Sequence, residues 1–233
     1  MPSPLYKVVM DTLVGRIASG ALPPGSMLPS ETQIGRELGV AQGTARKALI
    51  ELEARGLIYR EQGRGTFVSR HTTENALFRF FRVRKPDGTL DEPSLVSEAI
   101  RERAAKARER DTLSGAPQRV FEISRLRRLG SSTLFSETSV VSTSQFPGLR
   151  NRSPLPNTLY VFFQQSYSTM ILRADEVLTA KLADEAMAER LGIELGAPLM
   201  EINRTAFDAL DQAVELRAMT FPAGSHRYFA SLT

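Results

Sequence analysis

The chain contains no cysteine and no tryptophan, and it has only two histidines, His71 and His226. Without cysteine it can form neither disulfides nor thiolate metal sites. No run of about 18 or more apolar residues occurs, so no transmembrane helix is predicted. The N-terminus lacks the cationic and apolar segments of a signal peptide. We therefore expect a cytoplasmic protein without a membrane segment, bound metal or other cofactor.

Motifs typical of enzymes are also missing. The sequence has no Gly-x-Ser-x-Gly motif, no glycine-rich phosphate loop and no metal-ligand spacing. Neither histidine has a recognisable partner pattern for acid–base catalysis. A carboxylate pair such as Glu137 and Glu215 leaves catalysis open as an alternative, but the sequence favours a protein that is not an enzyme.

Length and charge point to two domains, of which the first is the more basic. The 233 residues fit one small and one medium domain. Residues 1–70 contain nine Lys/Arg and six Asp/Glu, so they hold three of the four net positive charges of the chain. This excess is small, and the positions of the basic residues have to decide what they bind.

The N-terminal segment has the periodicity of three helices. Apolar residues spaced three or four apart from Tyr6 to Ile17 predict the first helix, and Gly20 can end it. Ser30 and Gln33 form the capping box of a second helix, which Gly39 stops. A third helix with a buried face follows almost at once and ends before residue 56. Two short helices joined at residues 39–41 have the geometry of a helix-turn-helix.

A hairpin is predicted directly after the third helix. Residues 57–60 and 66–68 read as short strands, with a turn over residues 61–65. Arg64 lies at the tip of this turn between Gly63 and Gly65. Three helices followed by such a hairpin predict a winged helix-turn-helix.

The exposed face at the start of the third helix predicts DNA binding. In a helix-turn-helix these positions enter the major groove. Gln42 can pair with adenine and Arg46 with guanine, while Arg64 suits a phosphate or the minor groove. The alternative is that the basic residues are only the solvated face of an amphipathic helix. The candidate DNA-binding residues on the third helix are Gln42, Gly43, Thr44, Arg46 and Lys47.

Four strings in this segment resemble the GntR family of bacterial transcription regulators, in family order across residues 5–68. The resemblance implies a base or phosphate contact by Arg46, a recognition-helix entry at residues 42–44 and a wing at residues 63–65. Ala41, Gln42 and Thr32 depart from the common pattern; Thr32 replaces a basic residue at a phosphate-contacting position. The strings are Pro24-Gly25, Leu28-Pro29-Ser30-Glu31, Thr44-Ala45-Arg46-Lys47-Ala48-Leu49 and Gln62-Gly63-Arg64-Gly65-Thr66-Phe67-Val68.

The remainder of the chain predicts an α+β domain over residues 77–233, after a winged-helix domain over 1–68 and a linker over 69–76. The Ala-, Arg- and Glu-rich composition of residues 94–110 predicts a solvated helix, with a strand in its first half as the alternative. Strands are predicted at 77–83, 120–129, 133–141, 171–180, 199–207, 213–221 and 228–229, and helices at 159–167 and 184–191.

This second part resembles the UTRA ligand-sensing domain of the HutC branch of the GntR family, whose fold is similar to that of chorismate lyase. The resemblance rests on Arg204-Thr205-Ala206-Phe207 and Val214-Glu215-Leu216-Arg217 and covers residues 77–230. It implies a cleft that binds a small anionic metabolite, although residues 221–224 depart from the pattern of sugar-phosphate sensors. The alternative is that the matching residues are outward and solvated. They are Arg125, Arg127, Glu137, Arg173, Glu215, Arg217 and Tyr228.

Together these patterns predict a ligand-responsive bacterial transcription regulator that acts as a repressor. The resemblance implies a homodimer on a palindromic double-stranded DNA operator, which a small anionic effector releases or remodels. Two alternatives remain: a winged-helix protein that only contacts other proteins, and an enzyme similar to chorismate lyase.

Overall fold

The structure, a computed structural model, describes residues 4–70, 80–130 and 133–230. Its N-terminal part consists of α1 (Leu5–Ala18), α2 (Glu31–Leu38), α3 (Gln42–Ala54), β1 (Ile58–Glu61) and β2 (Gly65–Val68). The two strands pair antiparallel, with Ile58 opposite Val68. This order confirms the predicted winged helix-turn-helix. Residues 71–76 of the predicted linker and 77–79 of the predicted strand lie outside the described residues.

Local sequence signals set the ends of the two helices in the helix-turn-helix. The Ser30 hydroxyl accepts a hydrogen bond from the Gln33 amide at 3.3 Å, and the Gln33 side chain accepts one from the Ser30 amide at 2.8 Å. The predicted capping box is therefore confirmed. Gly39 ends α2 at a φ of 65°, a conformation that favours glycine. Ala41 precedes α3 without a side-chain cap.

One hydrophobic core joins the three helices to the hairpin. It contains fully buried side chains such as Leu13, Ile34, Leu49 and Val68. Met170, from the C-terminal part of the chain, is buried in the same cluster. A cavity of about 780 Å³ also lies between the two parts. The winged helix is thus packed against the C-terminal domain.

The C-terminal domain is built on a six-stranded antiparallel sheet with a few helices, which confirms the α+β class. A small separate sheet pairs β3 (Val83–Arg84) with β10 (Arg227–Tyr228). The helices are α4 (Ala107–Thr112), α5 (Leu159–Tyr167) and α6 (Glu185–Leu191). The large sheet contains β4 (Ser94–Ala104), β5 (Arg119–Leu129), β6 (Thr133–Ser142), β7 (Ile171–Leu182), β8 (Pro198–Asp208) and β9 (Ala213–Pro222), in the spatial order β4-β5-β6-β9-β8-β7.

Of the two readings of residues 94–110, the helix is wrong for the first eleven residues, which form β4, and the alternative of a strand in the first half is confirmed; the only helical part is α4. Ile100 lies opposite Ile123 of β5. Arg101 and Arg103 form ion pairs with Glu122 on that strand, at 3.0 and 2.8 Å. These cross-strand contacts outweigh the helix-forming composition of the segment. Its charges instead line an edge strand, where they discourage further pairing.

One face of the sheet carries charged residues between two apolar clusters. Side chains alternate between the faces along a strand, and residues paired across strands share a face. One cluster, which contains Phe121 and Val141, is covered by α5 and Phe80; the other contains Phe135 and lies against Phe81. The residues between them, hereafter the charged band, are Arg125, Arg127, Glu137, Arg204, Glu215 and Arg217.

Candidate functional site

The exposed start of α3 presents the residues that the sequence singled out. Gln42 and Gly43 form its first positions, and Arg46 and Lys47 follow one turn later; all four are exposed. Thr44 is half-buried. The Lys47 ammonium lies 4.3 Å from the centre of the Tyr6 ring on α1. The opposite face, with Ala45 and the other core residues, holds the helix on the domain.

The wing and the start of α2 flank this surface. Arg64 is 72% exposed and forms an ion pair with Glu61, while Gly63 and Gly65 have φ values of 75° and 128°. Thr32 is exposed in the first turn of α2. A cleft of about 750 Å³ separates α2 from the wing and is also lined by Gln42. Thr32, Gln42 and residues 63–65 therefore line one cleft on the same side of the domain.

Two residues of this surface were missed from the sequence, Glu31 and Arg60. Glu31, on α2, accepts hydrogen bonds from Arg46 Nε at 3.0 Å and from Gln42 Nε2 at 3.3 Å. Arg60, on β1, lies 4.0 Å from the same carboxylate and 3.3 Å from Glu53. The sequence singled out Glu31 only as part of a family string. Its contacts could not be predicted, because its partners Gln42 and Arg46 are 11 and 15 residues away.

The charged band forms a second polar site, inside the C-terminal domain. Arg217 donates to Glu215 Oε1 from Nη2 at 2.7 Å, and to Glu137 Oε2 from Nη1 at 3.3 Å. Arg127 donates to the same Glu137 oxygen at 3.5 Å. The Tyr160 hydroxyl, on α5, donates to Glu215 Oε2 at 2.6 Å. Two carboxylates are thus enclosed by arginines and a tyrosine in the domain interior.

Phe80 and Phe81 close this site. The Arg204 guanidinium donates a hydrogen bond to the Phe80 carbonyl and lies 6.0 Å from the centre of its ring. Beneath the two phenylalanines a cavity of only about 40 Å³ remains, lined by Arg127, Arg204, Arg217 and Tyr160 among others. This space is too small for a metabolite, so binding one requires side chains that line it, Phe80 and Phe81 among them, to move.

The charges of the band shift the pKa values of the groups within it. Burial by itself would raise the pKa of Glu137, but Arg217 and Arg127 outweigh burial and hold that pKa at about 2. Burial raises the pKa of Tyr160 to about 12. Glu137 is therefore ionised and Tyr160 is neutral at neutral pH. The carboxylate accepts hydrogen bonds there and the phenol donates one.

Three polar atoms of the charged band are buried without a hydrogen-bond partner among the described residues. They are Arg125 Nη1, Arg127 Nε and Glu137 Oε1. A buried donor or acceptor that makes no hydrogen bond is costly. These atoms leave hydrogen-bonding capacity that a ligand in the site could use.

The other residues predicted to bind an effector are distributed around this site. Arg125 is buried at its edge, where it forms an ion pair with Glu98 at 2.8 Å. Tyr228 donates to Glu176, the carboxylate that also holds Arg204. Arg125 therefore lies at the edge of the band and Tyr228 beside it, and each is bound to a carboxylate outside the band.

Arg173 does not join the others. It lies on the edge strand β7, next to an irregularity in the pairing with β8. Its side chain is exposed, binds Asp175 and Asp211, and stacks 3.8 Å from the centre of the Phe207 ring. Arg173 pairs with Phe207, and alternation along the strands places this pair on the opposite face of the sheet from Arg204 and Ala206, outside the charged band.

Sequence reasoning also missed Arg204 and Tyr160. Arg204 belongs to the string that carried the UTRA resemblance, and alternation along its strand places it on the same face as Ala206. Tyr160 lies in the predicted helix over 159–167, but which way that helix faces depends on how it packs on the sheet. Alternation along the strand could therefore have identified Arg204 from the sequence. No feature of the sequence could have identified Tyr160.

Among the described residues, no helix is both long and apolar enough to cross a membrane. Nor does that part of the chain bring together three or more histidine, aspartate or glutamate side chains that could hold a metal ion.

Comparison with known families divides the chain into two matching segments. Residues 5–68 match "Bacterial regulatory proteins, gntR family" and residues 93–227 match the UTRA domain. The chain is 31% identical to the "Probable fructoselysine utilization operon transcriptional repressor" of Escherichia coli K12, over 91% of this chain and 88% of that protein. It is 30% identical to the histidine utilization repressor of Pseudomonas aeruginosa PAO1, over 97% and 90% of the two chains.

A solved structure supports the fold. The chain resembles PhnF from Mycobacterium smegmatis with a TM-score of 0.57 at 24% identity, over 97% of this chain and 99% of that one.

Proposed function

Because this chain belongs to the GntR family of bacterial regulatory proteins and is a DNA-binding transcriptional regulator of the HutC type with a UTRA domain, not an enzyme, we propose that it is a homodimeric repressor of a palindromic operator. We further propose that a small anionic metabolite controls it. The observation that carries the first proposal is the exposed start of α3 beside the wing.

The proposed DNA contacts follow from this arrangement. Arg46 and Gln42 are exposed near the N-terminus of α3, where a recognition helix meets base edges. Arginine pairs with guanine and glutamine with adenine, each through two hydrogen bonds. Lys47, Arg64 and Thr32 lie at the sides of this surface and suit phosphate contacts. Gly43 lets the helix approach the groove closely.

A dimer accounts for how one small reading surface selects a long site. Each α3 can read only a few base pairs, and a two-fold dimer doubles the site into a palindrome. Both related proteins named above are called repressors. That shared description favours repression as the output of binding.

The charged band is the proposed effector site. Three arginines line its cavity, and guanidinium groups bind carboxylates and phosphates through paired hydrogen bonds. The unpaired Arg127 Nε supports an anionic ligand as well. Such a ligand has to displace Phe80 and Phe81, which follow the segment leading from the winged helix. Effector binding would thereby favour a different arrangement of the two domains.

Selection of binding sites from a random duplex pool at about 150 mM salt tests the proposed DNA binding. Wild-type protein is expected to enrich a palindrome, and Arg46→Ala to enrich none. Arg55→Ala is the matched control, because it removes the same charge from the exposed C-terminal end of α3. If folded wild-type protein enriches nothing, with or without candidate anions, the winged helix serves protein contacts instead.

The selected duplex then tests the effector site. Phosphate and short carboxylates are added to the complex, and release of DNA is followed by fluorescence anisotropy. An anion that releases the wild-type protein is expected to fail with Arg127→Leu, while that variant still binds the duplex. Release of both proteins by the same anion would place the effector elsewhere.

A further inference from the structure

A single carboxylate connects the residues proposed to read DNA. Glu31 is the first residue of α2. Its oxygens accept hydrogen bonds from Arg46 Nε at 3.2 and 3.0 Å, and from Gln42 Nε2 at 3.3 Å. Arg60 of the wing lies 4.0 Å away. A negative charge here repels DNA phosphates and lowers non-specific affinity, so its position requires a different explanation.

We propose that Glu31 is a positioning residue that determines sequence specificity: it holds Arg46 and Gln42 in the orientation that reads base edges. The inference rests on the proposed function above and deepens it. Glu31 itself need not contact a base. Its effect is to raise the preference for the correct sequence while lowering the affinity for DNA in general.

The contact with Arg46 restricts a flexible side chain. Arg46 is 60% exposed, and a free arginine on a helix surface samples many rotamers. Both of its hydrogen bonds to Glu31 start at Nε. With Nε held, the Nη1 and Nη2 groups remain available as a fork for O6 and N7 of guanine. Less conformational entropy is then lost when the correct base is bound.

The contact with Gln42 selects one orientation of its amide. A glutamine amide has a donor end and an acceptor end, and reading adenine requires both in a fixed order. An ionised carboxylate accepts hydrogen bonds and donates none, so Glu31 favours the orientation in which Gln42 Nε2 faces it. Nε2 carries a second hydrogen for adenine N7. Glu31 thus biases Gln42 towards adenine.

Glu31 is itself well placed to act as this support. Its side chain is only 21% exposed, and it lies at the start of a helix whose capping box fixes the backbone. Arg60 approaches from the wing and is also held by Glu53 at 3.3 Å. The carboxylate therefore links α2, α3 and β1 at the centre of the proposed reading surface.

Glu31→Gln removes the charge and keeps the size of the side chain. The matched control is Glu37→Gln, which makes the same charge change in the same helix. Glu37 pairs with Arg16 of α1 at 2.6 Å, away from Gln42 and Arg46. Thermal unfolding of both variants checks that any effect does not come from loss of folding, since an acidic residue in the first turn also stabilises a helix.

The measurement is the ratio of the dissociation constants for a random duplex and for the duplex selected by wild-type protein, at about 150 mM salt. In Glu31→Gln this ratio is expected to fall about tenfold, the discrimination that one good side chain–base pair provides. Glu37→Gln is expected to keep the ratio within about twofold. Both variants should bind the random duplex somewhat more tightly, because each loses one negative charge.

The outcomes separate the two proposals. If wild-type protein selects no sequence, the proposed function fails, and this inference fails with it. If wild-type protein selects a site and Glu31→Gln keeps the full ratio, only the role of Glu31 is overturned. An equal fall in both variants would assign the effect to general charge and overturn it as well. Repeated selection with Glu31→Gln should also return a site that is less defined at the bases read by Gln42 and Arg46.

Discussion

Replacing Arg217 by methionine is expected to destabilise the C-terminal domain by about 3–5 kcal/mol at pH 7, the usual cost of removing one partner from a buried ion pair. Arg217 is the partner of two carboxylates at once. Glu215 is fully buried and Glu137 is 2% exposed, so neither carboxylate can recover its hydration. Methionine fills much of the volume of arginine, which keeps the contribution of a cavity small.

The pH dependence of the loss follows from Glu137. Its folded pKa of about 2 lies below its ordinary value of 4.5. A depressed carboxyl pKa stabilises the fold above about pH 4.5, here by about 3 kcal/mol, and this contribution is lost as the pH falls towards 2. Without Arg217 the pKa of Glu137 rises, so the variant takes up a proton at higher pH than the wild type. The difference in stability should therefore shrink between pH 7 and pH 4.5.

Urea unfolding followed by far-ultraviolet circular dichroism measures this effect, since the chain has no tryptophan. The double variant Arg217→Met/Glu215→Gln provides the control, because it also removes one of the two unpaired charges. It should recover about 1–2 kcal/mol of the loss. A loss below about 1 kcal/mol for the single variant, or an equal loss at both pH values with no recovery, would refute the role assigned to the charged band.

Two further substitutions test the packing of the winged helix. Gly35→Ala should destabilise it by about 1–3 kcal/mol, because the new Cβ would lie 2.9 Å from the carbonyl oxygen of Val40; a melting temperature equal to that of wild type would contradict this close approach. Met170→Ala should cost about 2–5 kcal/mol, since Met170 is buried in the core of the winged helix although it belongs to the other domain. Hydrogen exchange of α1 and α3 amides measures the second effect, and unchanged protection of these helices would argue against the shared core.

The sequence predicted the elements of the winged helix closely because they depend on local signals. The Ser30 and Gln33 capping box and the glycine at residue 39 each act within a few residues, and each was found where the sequence placed it. Residues 94–104 show the opposite case. Their composition favours a helix, but pairing with residues 119–128 decides the outcome, and that pairing is a long-range property.

The residues of the candidate sites also divide into those that a local pattern predicts and those whose position depends on long-range contacts. Strand alternation brings Arg127, Glu137 and Arg217 to one face of the sheet, and all three are among the residues that the family resemblance singled out. Arg173 shares their chemistry but pairs with Phe207 and so lies on the other face of the sheet, and this register between strands is not a local property of the sequence. The role of Glu31 was missed for a related reason. Its contact with Arg46 spans 15 residues, and no local sequence pattern around either residue predicts it.

The arrangement of this sheet face bears on how the effector specificity of the C-terminal domain could change in evolution. Two separate apolar clusters, one under α5 and one around Phe135, support the sheet on either side of the charged band. With the charged band as the proposed effector site, new ligand chemistry requires changes only in the middle of the face, while both apolar clusters stay intact. Because the carboxylates there are buried against arginines, single exchanges are costly and charge-balanced pairs are tolerated. Divergence of effector specificity on this scaffold should therefore proceed through coupled replacements of an acid together with its base.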